Sequence, residues 1–166
     1  MQNNVRPIPE GYNSISAALT CKNAAAAIEF YKKVFGATEM NRMEGPGGSI
    51  GHAELRIGNS VIFVSDEFPG KSAAPTPTPT PSSYLFLYTE NCDSVFNRAV
   101  AAGATVTMPM SDMFWGDRFG RLTDPFGHSW GVATHVEDVA PDEMEKRAAE
   151  WTAKMSGKAA TAGAND

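Results

Sequence analysis

Residues 117–133, DRFGRLTDPFGHSWGVA, decide the fold. They read as strand, tight turn, strand. In the turn Asp124-Pro125-Phe126-Gly127, proline presets φ, the aspartate side chain can bond the backbone ahead of it, and glycine permits positive φ. The strand that follows alternates, with Trp130 and Val132 on one side and Ser129, Gly131 and Ala133 on the other. One face is therefore apolar, and the other must meet something else.

Working outward from this hairpin, one order of elements occurs twice. In the second half, residues 83–89 form a strand with Leu85 and Leu87 opposite Tyr84, Phe86 and Tyr88. A helix opens at Asn91 or Asp93, carries Val95, Phe96, Ala99 and Val100, and stops at Gly103. A strand over 105–108 and a loop over 110–116 lead into the hairpin. In the first half, residues 12–22 form a strand with Ile15, Ala17, Leu19 and Cys21 opposite Ser14, Ser16, Ala18 and Thr20. Asn23 caps a helix over 24–35 whose Ala27, Ile28, Tyr31, Val34 and Phe35 share one face. Gly36 ends it, and strands over 37–42, 50–57 and 60–65 complete the set. Both helices run out into Gly-Ala-Thr. A repeat of this kind outranks any single residue as evidence of architecture. Each half has one helix for four strands, so the helix covers one face of its sheet and leaves the other as a concave wall.

The expected organisation is a first module over 12–68, a Pro/Thr-rich linker over 69–82, a second module over 83–138, a C-terminal helix over 139–156 and a disordered tail over 157–166. Alternating proline over 75–81 cannot enter a central sheet or a helix. It favours an extended polyproline conformation that bridges roughly 20 Å. The tract reads either as a solvated spacer or as a docking site for a proline-recognising partner. In the last helix Pro141 sits near the first position and Asp142 and Glu143 in the first turn, where each is favourable. Its stripe of Met144, Ala148, Trp151 and Met155 packs on its own domain or against a dimer partner.

A formal charge of -5 and a pI near 5.2 argue against nucleic acid and anionic membranes as partners. No apolar run is long enough to span a membrane, and the first residues lack a basic-then-apolar leader, so a cytoplasmic protein is expected. The two cysteines, Cys21 and Cys92, have no metal-binding spacing and are expected to be reduced thiols.

The repeat, with FYKKVFGA closing the first helix and LTDPFGHSWGVA in the last hairpin, resembles the vicinal oxygen chelate superfamily. That group holds glyoxalase I, extradiol dioxygenases, and bleomycin- and fosfomycin-resistance proteins. The strongest likeness is to small glyoxalase/bleomycin-resistance and PhnB-like proteins, over about residues 12–136. The resemblance implies an α+β fold in which two βαβββ modules form a U-shaped mixed-sheet cup, with a site inside. It also implies that the cup forms either within a chain or across a homodimer. Metal-using members hold the ion at four positions on the concave face. By motif these fall here on Ser16, Phe63, Tyr84 and Gly131.

Divalent ions in such sites take His, Glu or Gln donors. Hydroxyls of Ser and Tyr are poor neutral ligands, and Phe and Gly have no donor side chain. No metal and no other cofactor is therefore expected, and the metal-assisted glyoxalase and dioxygenase reactions lose their support. The expected function is binding of a small, partly aromatic or apolar molecule, of the antibiotic- or metabolite-binding kind. Its ligand-binding set is Ser16, Phe63, Tyr84, Phe86, Trp115, Arg118 and Gly131, with Gly131 leaving floor space where a carboxylate would stand. The alternative is a glyoxalase-like lyase or isomerase in which His52 and Glu54, two apart on one strand face, act as an oriented general base. That row, with Arg56, reads equally as a polar surface. Arg118 and Arg121 beside Asp117 read as an ion pair at the hairpin mouth or as positive charge for an anionic substrate. His128 is expected to be exposed in its turn and His135 to be structural. A third reading is a protein-interaction module working through the proline tract.

Overall fold

The computed structural model describes residues 5–162 apart from 77 and 79, with side chains to residue 156. The first module runs β1 (Ala18–Cys21), α1 (Ala24–Phe35), β2 (Thr38–Glu44), β3 (Ile50–Ile57) and β4 (Ser60–Asp66). The second runs β5 (Leu85–Tyr88), α2 (Cys92–Ala101), β6 (Thr105–Asp112), β7 (Asp117–Thr123) and β8 (Ser129–His135), followed by α3 (Pro141–Ala162). The sheet orders β1-β4-β3-β2 and β5-β8-β7-β6 are the same topology twice. In each, the second, third and fourth strands pair antiparallel in chain order, while the first strand joins the fourth in parallel. The helices also start alike. The Asn23 side chain accepts from Ala26 N at 3.0 Å, and that of Asn91 from Ser94 N at 2.9 Å. Gly36 closes α1 at φ 67°, a left-handed position that favours glycine.

One apolar core runs through both modules. Ile28, Tyr31 and Val34 of α1, Leu55 and Val64 of the first sheet, and Leu122, Trp130 and Val132 of the second are all buried in it. Phe35 and Trp130 ring centroids stand 4.4 Å apart across the module boundary. At that boundary the two family-like motifs meet. The buried Asp124 carboxylate accepts from Tyr31 Oη at 2.8 Å and from Trp130 Nε1, Phe126 N and His128 N at 2.9 Å each. The aspartate of the DPFG turn thus closes its own turn and ties the second module to α1.

Three expectations change, and of the two readings of the α3 stripe the first is only partly met. The first strand begins only at Ala18, and Ile15 is 87% exposed instead of facing the core. Strand β6 runs on to Asp112 through Pro109, where a loop was expected. β6 is a sheet edge, and register shifts on both sides of Met108 absorb the missing donor. The backbone of α3 stays helical to Ala162, beyond the expected start of the tail; residues 163–166 lie outside the described residues. The α3 stripe does not pack fully on its own domain. Trp151 meets Phe114 at 5.6 Å, yet Trp151 and Met155 stay exposed.

Both cysteines are free and buried, and burial pushes the Cys21 thiol up to about 12. The linker lies against the second hairpin. A Cβ added at Gly127, whose φ is +94°, would meet Pro75 O at 3.1 Å, so the strap and the turn fit only with glycine there. Pro77 and Pro79 of the tract lie outside the described residues. Among the described residues no helix is long and apolar enough to cross a membrane.

Candidate functional site

Each module presents one sheet face that its helix does not cover. In the first module Ala53, Leu55 and Ile57 of β3 go to the core, which puts His52, Glu54 and Arg56 on the open face. Glu54 pairs across the ladder with Phe63, so Phe63 shares that face. Ser16 and Tyr12 approach from the arm before β1. Together Ser16, Tyr12, Glu54, Phe63 and Ser14 line a cavity of about 420 Å³.

Tyr12 was not anticipated. Its hydroxyl donates to Glu54 Oε2, while His52 Nε2 lies 3.3 Å from Glu54 Oε1. The Tyr12 hydrogen bond, opposed by partial burial and helped by His52, holds the Glu54 carboxyl below its ordinary range. The same bond raises the Tyr12 phenol. Tyr12 and His52 both sit against the Phe63 ring, at 6.4 and 5.2 Å. The arm is separated from β3 by some forty residues of chain, and nothing local in the sequence signals that contact.

In the second module Tyr84, just before β5, and Phe86 and Tyr88 within it stand on the open face, 41%, 41% and 60% exposed. Phe119 of β7 backs them, its ring stacked on Phe86 at 5.2 Å and 7°. Gly131 lies between, paired with Phe86 on one side and Arg121 on the other. Its floor is filled, contrary to expectation. An added Cβ would meet Phe119 Cε2 at 2.7 Å and Tyr84 Cε2 at 3.0 Å. A longer side chain has no room there until those rings move.

Asp117 closes one end of this face. It is 2% exposed. It accepts from Tyr88 Oη and Trp115 Nε1 at 2.9 Å each, and His135 Nδ1 stands 2.8 Å away. Burial opposes its ionisation, but the His135, Tyr88 and Trp115 hydrogen bonds prevail and hold its carboxyl below the ordinary range. Asp117, then Asp138, raise His135 in turn. Trp115, on the turn between β6 and β7, thus sits at the rim, 6.1 Å from Phe119.

The expected ion pair at the hairpin mouth does not form. Arg118 points to the helix side of β7, bonded to Asp93 of α2 at 2.6 and 2.8 Å and to Asp112 at 3.0 Å. It is absent from the open face, because residues 118 and 131 have opposite parity in the β7–β8 ladder. Arg121 occupies the place instead, its guanidinium 4.2 Å from the Tyr84 ring centre. The register about the DPFG turn pairs 121 with 131 and could have been read from the sequence. His128 is not an exposed turn residue either; its Nε2 lies 3.0 Å from Thr20 O, reaching β1.

The donor set does not fit the metal that the fold implies. Phe63 offers no donor, Gly131 offers neither a donor nor room for one, and Ser16 and Tyr84 offer only neutral hydroxyls. Among the described residues no three His, Cys, Asp or Glu side chains converge as a metal set.

Comparison with known proteins agrees with this architecture. The sequence profile described as the Glyoxalase/Bleomycin resistance protein/Dioxygenase superfamily matches residues 14–132. An uncharacterised protein of Mycobacterium bovis is 40% identical over 136 residues, 80% of this chain and 90% of that one. The crystal structure of TioX from Micromonospora sp. ML1 aligns with a TM-score of 0.60 at 25% identity, over 75% of this chain and 99% of TioX. A PhnB protein of Bacillus cereus aligns with the same TM-score of 0.60 at 21% identity, over 74% of this chain and 99% of that one, a likeness of fold alone. By its repeated βαβββ topology and its sequence, the chain belongs to the glyoxalase/bleomycin resistance/dioxygenase superfamily.

Proposed function

We propose that this chain binds a small, flat, partly aromatic or apolar molecule in a cup built from the two open faces, without a resident divalent metal. The observation that carries this reading is the aromatic wall of Tyr84, Phe86 and Tyr88, exposed on one strand and backed by Phe119. An apolar wall of this kind is left open where something covers it. The aromatic neighbours of Phe63 come from its own module and those of Phe86 from its own, which favours a cup assembled from two copies. The second copy's Phe63 face then supplies the opposite wall. Free, buried cysteines accord with a cytoplasmic setting.

Native mass spectrometry and elemental analysis of protein purified without chelators test this. The expected result is a dimer that carries an organic molecule and no stoichiometric metal. A tightly held divalent ion in every chain, or a monomer with an empty face, would sink the reading.

One observation favours a second reading, a lyase or isomerase acting on a small carbonyl compound. Tyr12, Glu54 and His52 form a hydrogen-bonded row against a cavity. With Tyr12 already donating to it, Glu54 is a weakened base, and its use is to orient His52. Turnover that survives His52→Ala unchanged would exclude this version.

A further inference from the structure

Only two buried side-chain nitrogen or oxygen atoms among the described residues have no hydrogen-bond partner, Arg121 Nε and Ser129 Oγ. Both belong to the same open face. Arg121 stands opposite Gly131 in the β7–β8 ladder, and Ser129 precedes Gly131 by one full pleat, about 6.5–7 Å along the strand. Buried donors without partners are uncommon and costly, so two of them flanking one position call for a ligand.

The charge supports the same conclusion. Arg42, Arg118 and Arg147 are each matched by carboxylates, at 2.6, 2.6 and 2.8 Å. Arg121 takes no part in the salt bridges of the described residues and rests only on the Tyr84 ring. A guanidinium at this cation–π distance spends none of its N–H donors on the ring, which leaves them for an anion. Beyond Tyr84 the wall continues through Phe86, whose ring lies 6.2 Å from that of Tyr84.

On the reading that this face binds a flat small molecule, we infer that the ligand is an aromatic acid. Its carboxylate bonds Arg121 and Ser129 after the Tyr84 ring swings off Arg121, and its own ring lies along Tyr84 and Phe86. Arg121 sets specificity for the negative group, and the wall accepts the apolar body. No bond is made or broken in this step; one oxygen accepts from Arg121 Nε–H and the other from the Ser129 hydroxyl.

Isothermal titration of the full chain with 2-naphthoate and with its uncharged isostere 2-naphthamide tests the inference. The acid is expected to bind about tenfold or more tightly than the amide, as a charge-assisted hydrogen bond provides. Arg121→Gln is expected to remove that preference, Arg121→Lys to keep part of it, and Ser129→Ala to reduce it. The thermal midpoint of each variant confirms that it folds. Should Arg121→Gln fail to fold, the acid-to-amide ratio in the unaltered chain and in Arg121→Lys decides the matter. Equal binding of acid and amide, or a preference that survives Arg121→Gln, overturns the anion anchor while leaving the cup reading in place. Binding of neither probe overturns both.

Discussion

Asp124 shows how the aspartate of a turn motif stabilises the fold well beyond its own turn. Its two oxygens take four donors, from two backbone amides of its own turn, from Trp130, and from Tyr31 on the other module. Removing the carboxylate leaves the Tyr31 hydroxyl and the Trp130 indole buried without acceptors, and each orphan costs on the order of 1–3 kcal/mol. Asp124→Ala is therefore expected to lower unfolding free energy by about 3 kcal/mol in urea denaturation. A loss no larger than that of an exposed substitution would show that the Tyr31 bond is incidental. At Gly131 the same scale of argument shows why a larger side chain does not fit, since Phe119 and Tyr84 fill the space it would need.

At the scale of elements, the His135–Asp117 pair joins the end of β8 to the start of β7 and the segment leading to α3. Arg147 of α3 reinforces that junction through Glu137, with both bonds at 2.8 Å. The direction of the pH effect follows from the two shifts. His135 is raised above its ordinary 6.5, so its contribution is complete below 6.5 and fades as pH climbs through the raised value. Asp117 is lowered from its ordinary 3.8, so its contribution is present above 3.8 and fades only as pH falls through the lowered value. The junction is thus firmest between these limits. Differential scanning calorimetry is expected to show the melting temperature falling as pH rises above 6.5, with His135→Gln flattening that fall. An identical slope in the variant would assign the pH dependence to other groups. Elsewhere at this scale, Pro109 shows why a breaker residue misleads: an edge strand has a side with no ladder partner, and β6 is such an edge.

For the whole molecule, the two open faces and the exposed α3 stripe lie outside the shared core. The rings form a path from Trp151 through Phe114, Trp115 and Phe119 to Phe86, with successive centroids 5.0 to 6.1 Å apart. A cup shared between copies would cover the Phe86 end of this path. Phe86→Arg places a charge on the wall and breaks its stack with Phe119. If the proposed dimer forms, light scattering is expected to show it shifted to monomer, with binding of aromatic probes weakened in parallel. A variant that stays dimeric would mean the copies meet elsewhere.

The sequence by itself determined the repeat, the helix caps, the turn and the alternation of β3 and β5, because these follow from interactions within a few residues. Parity alone separated Tyr84, Phe86 and Tyr88 from Leu85 and Leu87. The β7–β8 register, legible around the DPFG turn, already set Arg121 rather than Arg118 opposite Gly131. Only the tertiary structure decided what fills the space at Gly131, that Tyr12 reaches Glu54, and that Tyr31 reaches Asp124 from ninety-three residues away. Those outcomes depend on how two sheets and their helices pack, and the energy of such packing is shared among residues that no local pattern brings together.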